Sequence, residues 1–65
     1  MLIKLTRVQG DERAELWLNP DHILFVNRVA TESVAKSLIQ LMGYTSNVFV
    51  MESPEEVLAR INGDQ

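Results

Sequence analysis

The sequence predicts a small α+β domain, mainly antiparallel strands followed by one C-terminal helix. Three observations predict it. Short apolar runs of strand length recur along the chain, among them Ile23-Leu24-Phe25-Val26 and Val48-Phe49-Val50-Met51, with Gly, Pro, Asn and Asp between them. A helix-start signal, Ser53-Pro54-Glu55-Glu56, stands near the end. And 65 residues suit one domain, 1–65, with no internal linker, repeat or low-complexity tract.

Leu2-Ile3-Lys4-Leu5-Thr6-Arg7-Val8 reads as the first strand, with Ile3 and Leu5 on one face and Lys4 and Thr6 on the other. Gln9-Gly10-Asp11-Glu12 supplies a turn, since Gly tolerates positive φ and Asp bonds to its own backbone. Glu15-Leu16-Trp17-Leu18 is the second strand, with Leu16 and Leu18 sharing a face and Trp17 opposite them. Asn19-Pro20-Asp21 breaks it: Pro fixes φ and has no N–H, and the Asn side chain can close an Asx-turn. His22 through Val26 resumes as a strand that extends towards Val29.

Residues 31–46 admit two readings. Val34, Ala35, Leu38, Ile39, Leu41 and Met42 have the spacing of an amphipathic helix, which Thr31 would cap and Gly43 would end. Alternatively Leu38-Ile39-Gln40-Leu41 is a strand, and Gly43-Tyr44-Thr45-Ser46-Asn47 a hairpin loop into Val48-Phe49-Val50-Met51. The last element is the plainest. Ser53 at the N-cap, Pro54 at N1 and Glu56 at N3 make a capping box. Val57, Leu58 and Ile61 form an apolar stripe, and Asn62-Gly63 ends the helix.

Composition narrows the function classes. Without Cys there is neither a disulfide nor a thiolate zinc site to staple so short a chain. Ordering it costs roughly 100 kcal/mol at ~1.5 kcal/mol per residue, which a small core barely offsets. Self-association is the favoured remedy. The net charge is −3, and Lys4, Arg7, Arg13, Arg28, Lys36 and Arg60 are dispersed, so nucleic acid is not expected as a partner. No run approaches the ~20 apolar residues of a membrane span, and no basic-then-apolar leader is evident. A cytoplasmic protein without membrane insertion is expected.

Candidate chemistry is sparse. His22 is the only His, and its neighbour Asp21 would point to the opposite face of a strand, so the two do not chelate one ion. Ser33, Ser37 and Ser46 have no nucleophile-elbow context, and Ser53 is a cap. Glu55 and Glu56 diverge on a helix by about 100°, and the scattered Gly10, Gly43 and Gly63 make no phosphate loop. No catalytic, cofactor-binding or metal-ligating residue is assigned, and no enzyme is expected. Phe25, Tyr44 and Phe49 are assigned to the core. Trp17 and Leu38 fall on the second sheet face and are the interface candidates. One helix does not cover two faces of a sheet, whereas a neighbouring subunit does.

Three blocks stand in order along the chain: Ile3-Lys4-Leu5-Thr6-Arg7 with Gly10, then Leu18-Asn19-Pro20-Asp21-His22-Ile23, then Val50-Met51-Glu52-Ser53-Pro54-Glu55-Glu56-Val57 with Ile61. Together they resemble the FlbD/SwrD family of small bacterial flagellar proteins. The resemblance favours the strand reading of 38–41, although the stretch from Phe25 to Gly43 departs from the family's short Asn-Gly hairpin. It implies a non-enzymatic cytoplasmic factor of flagellar assembly or motor power, with flagellar proteins as partners and no catalytic residues to carry over. The opening Leu2-Ile3, Leu5-Thr6-Arg7 and the terminal Glu-Glu-Val helix are also similar to CsrA, a domain-swapped dimer that binds RNA hairpins. Thr6-Arg7 matches its first basic group, but Met51-Glu52-Ser53 stands where the second is basic. A carboxylate there would repel phosphate. A small assembly protein of another complex is a further alternative.

Overall fold

The computed structural model describes residues 1–30 and 34–63. Its elements are β1 (Ile3–Gln9), β2 (Glu12–Leu18), a 3₁₀ turn (Pro20–His22), β3 (Ile23–Arg28), β4 (Ser37–Leu41), β5 (Val48–Val50) and α1 (Pro54–Ile61). Every strand pair is antiparallel, in the order β2-β1-β5-β4-β3. The α+β fold read from the sequence is the fold observed.

That order places β2 and β3 at opposite edges, yet only residues 19–22 join them. In a flat sheet the two edges would stand about 19 Å apart. A 3₁₀ turn advancing ~2 Å per residue does not span that. The sheet therefore curls. A twist of ~20–25° at each strand pair accumulates to roughly a right angle between the outer strands, so the end of β2 delivers the chain to the start of β3. The core has the composition this curl requires. Leu18 of one edge strand joins Ile3, Leu5, Ile39, Leu41, Val48 and Val50 in a single cluster, and Val57 of α1 completes it. The helix packs against β1 and β3.

Two local features differ from the sequence reading. The first hairpin is tighter than a four-residue turn: Gln9 pairs with Glu12, leaving Gly10 and Asp11 as the loop, and Gly10 has φ +60°. A positive φ at the first loop position is what a two-residue type II′ turn needs. β2 consequently begins at Glu12 rather than Glu15. His22 lies in the 3₁₀ turn rather than in β3, where Asn19 Oδ1 accepts from the Asp21 N–H at 2.9 Å.

In 31–46 the strand is observed. Ser37, Ile39 and Leu41 are buried at every second position, and β4 is paired on both sides, with β3 and β5. Two ladders supply more than the local helical spacing offers, so tertiary pairing overrides it. The Thr31 cap of the alternative helix lies outside the described residues. The helix that does form is the terminal one. The Ser53 hydroxyl accepts from the Glu56 N–H at 3.1 Å, and the Glu56 carboxylate accepts from the Ser53 N–H at 2.9 Å. We expect Ser53→Ala to cost about 1 kcal/mol, read by thermal unfolding, because it orphans a helix N–H and frees Glu56 from its reciprocal bond.

The helix stripe is narrower than expected. Val57 is fully buried, but Leu58, turned about 100° from it, is exposed. The aromatic assignments are also corrected. Phe25, Tyr44 and Phe49 are 45%, 60% and 41% exposed rather than core. Phe49 alternates with the buried Val48 and Val50, so the pleat sends it outward; Phe25 follows a register shift in β3; Tyr44 lies in the loop after β4.

Candidate functional site

Glu52 sits where β5 leaves the sheet and the helix has not yet begun. Only Arg7 and Val50 pair as residues of β1 and β5, after which the Met51 N–H donates to the Thr6 carbonyl at 2.9 Å. The Glu52 side chain then continues the ladder. One carboxylate oxygen accepts the Thr6 N–H at 2.9 Å and the other the Thr6 hydroxyl at 3.0 Å, while Arg60 lies 3.6 Å away. Arg60 also donates to the Lys4 carbonyl at 2.9 Å. On the opposite side, the buried Ser37 hydroxyl donates to the Glu52 carbonyl at 2.7 Å. Glu52 thus ties β1, β4 and α1 together. The carboxylate weighed above as a phosphate-repelling surface group is turned inward, buried, and engaged in holding the fold.

Trp17 is placed on the outer face of β2, opposite Lys4 of β1, and is 56% exposed. Beside it Lys4 and Glu15 form an ion pair at 3.2 Å. Two clefts meet at Trp17 and Leu2. The first, about 430 Å³, runs towards Lys4, Glu52 and Arg60. The second, about 390 Å³, runs past Leu16 and Leu18 to Leu41, Met42 and Tyr44, where the curled sheet is open between β2 and the end of β4. Leu2, Trp17, Met42 and Tyr44 are exposed apolar groups on one continuous surface.

Leu38 belongs elsewhere. It is half-buried on β4, opposite Phe49 of β5 and Asn27 of β3, with Phe25 opposite Gln40 one step along the same face. Leu38 lines neither of the clefts that meet at Trp17. The single interface face expected from the alternation is two patches. Sequence alternation located each residue's face correctly but carried no signal that the sheet curls between them.

Two carboxyls at the helix start are electrostatically tuned. The Ser53 N–H and hydroxyl hold the Glu56 carboxyl below the ordinary Glu range, and the Glu55 backbone N–H with Arg28 does the same for Glu55. Both carboxylates are thereby occupied with capping and with the Arg28 ion pair. Among the described residues no three His, Asp or Glu side chains gather as metal ligands, and no helix is long and apolar enough to cross a membrane. The backbone of His22 is bonded on both sides, its N–H to the Asn19 carbonyl at 2.9 Å and its carbonyl to the Met42 N–H beyond β4 at 2.7 Å.

No family model matches the chain, and neither a curated protein nor a solved structure matches it.

Proposed function

We propose that this chain is a non-enzymatic interaction protein that acts in the cytoplasm as a homo-oligomer, in the role its FlbD/SwrD-like sequence blocks imply: an accessory factor of flagellar assembly or motor power. The observation that carries the interaction reading is the apolar surface of Leu2, Trp17, Met42 and Tyr44. Twelve large apolar side chains are exposed among the described residues, against eight buried in the core cluster. Single exposed Leu or Met residues are ordinary; a contiguous set anchored by a Trp is the signature of a docking surface. The flagellar assignment rests on the ordered motifs alone.

Trp17 is the chain's only Trp, so its fluorescence reports this surface directly. Raising the concentration is expected to shift its emission to the blue as solvent is excluded. Trp17→Asp is expected to lower the mass measured by light scattering. Emission that stays at the solvent-exposed position from nanomolar to millimolar concentration would remove the support for self-association. A labelled RNA tests the CsrA-like alternative. Fluorescence anisotropy with a labelled RNA hairpin is expected to show no specific binding at physiological salt. Submicromolar binding that is weakened by salt and abolished by Arg7→Ala would put RNA recognition first.

A further inference from the structure

The two edges of the sheet are not equivalent. β3 is broken by a register shift between Ile23 and Phe25, and Arg28 at its end is paired to Glu55 of the helix. Bulges and covered ends are how natural sheets protect an edge. β2 has neither. Its seven residues pair with β1 without interruption, it contains no Pro, and no strand of the described residues lies on its other side.

The hydrogen-bond phase of that edge follows from the hairpin. A two-residue turn makes Gln9 and Glu12 a hydrogen-bonded pair, so the pairs alternate from there. Ala14 and Leu16 direct their N–H and C=O groups to β1, whereas Arg13, Glu15 and Trp17 direct theirs to the open edge. β1 shows the matching phase. Lys4 and Thr6 turn their backbone groups away from β2, to Arg60, Glu52 and Met51.

We infer that a second copy of this chain docks on this edge, β2 against β2 antiparallel, with the two-fold axis at Ala14. The inference rests on the self-association proposed above and specifies its geometry. Only residues of like phase can pair, so the two-fold axis falls on a residue, and keeping about five residues of each strand paired leaves axes at Ala14, Glu15 or Leu16. An axis at Glu15 sets Glu15 directly opposite its own copy, a like-charge pair that opposes association. An axis at Leu16 sets Glu15 against Trp17 and leaves Arg13 beyond the end of the paired strand. An axis at Ala14 sets Arg13 opposite Glu15 of the second copy, and by symmetry does so twice. Ala14, small and exposed, meets itself without a clash. Trp17 then lies diagonal to Arg13 of the second copy, within reach of a cation–π contact. The pairing closes the regular β2 edge and leaves Trp17 at the rim of the interface, one residue beyond the paired segment.

The chain has no Cys, so single-cysteine variants read the register without interference. At a non-hydrogen-bonded pair on the axis, the Ala14 Cα atoms stand ~4.5 Å apart, inside the range a disulfide bridges. Those of Glu15 stand about 8 Å apart in the same register, outside it. Under mild oxidation Ala14→Cys is expected to run as a covalent dimer on a non-reducing gel, and Glu15→Cys as a monomer. The charge arm is independent of oxidation. Arg13→Glu and Glu15→Arg are each expected to weaken self-association about tenfold, and an equimolar mixture of the two to restore it, because each mixed pair is again of opposite charge. Cross-linking of Glu15→Cys but not Ala14→Cys would overturn the register. If neither cross-links and the mixture restores nothing, while the unmodified chain still has a multiple of the 7.4 kDa mass, this edge is not the contact although self-association stands. A mass of 7.4 kDa at every concentration would remove both.

Discussion

Glu52→Ala is expected to destabilise the domain by about 3 kcal/mol, with Glu52→Gln costing about 1 kcal/mol. The substitution removes at once the acceptors of both Thr6 donors, the N–H at 2.9 Å and the hydroxyl at 3.0 Å, and takes the carboxylate away from Arg60. Gln retains an acceptor for the Thr6 N–H but loses the charge that Arg60 faces. The magnitude is decisive because a domain of this size has only about 3–10 kcal/mol of stability in total. A loss near 3 kcal/mol corresponds to a fall in Tm of about 15 °C or more for such a chain. Urea or thermal unfolding of the two variants beside the parent checks it. Equal unfolding of all three would show that β1 and β5 are held together without the carboxylate.

Leu5→Ala is expected to cost about 3 kcal/mol and to lower Tm comparably. Leu5 is completely buried at the centre of β1, opposite Leu16 of β2, in the same cluster as Ile39, Val50 and Val57. The curled sheet draws these side chains from β1, β4, β5 and α1, so a cavity at Leu5 faces several elements at once and no one of them can move in alone to fill it. Leu58→Ala is the matched control. Leu58 is exposed, and its loss from a helix surface is expected to shift stability by no more than about 0.5 kcal/mol. A similar cost at both positions would mean that the apolar stripe of the helix is covered in solution by something other than this chain.

The contrast between those two leucines shows what the sequence could and could not disclose. Alternation in β1 assigned Ile3 and Leu5 inward and Lys4 outward, because a strand has only two faces and its neighbours decide nothing about the period. The helix start was equally legible, since Ser53, Pro54 and Glu56 act through the backbone within one turn. What depended on partners distant in sequence was not. Residues 38–41 fit a helix by spacing, and only pairing with both β3 and β5 makes them strand. Phe25, Phe49 and Tyr44 have core chemistry, yet the pleat, a register shift and a loop place them outside. Glu52 is the clearest case. Its position just before a helix cap gives no sign that it completes a ladder with Thr6, 46 residues away. The candidate site was half legible: Trp17 was placed on the correct face, but the curl that separates it from Leu38 is a property of strand order.

The open β2 edge and Trp17 thus coincide on one side of the molecule. Self-association there is read by the native mass of the unmodified chain, measured by sedimentation equilibrium across the micromolar range. Self-association requires a mass that rises with concentration to at least twice 7.4 kDa. A fully folded species that remains at 7.4 kDa throughout would contradict it.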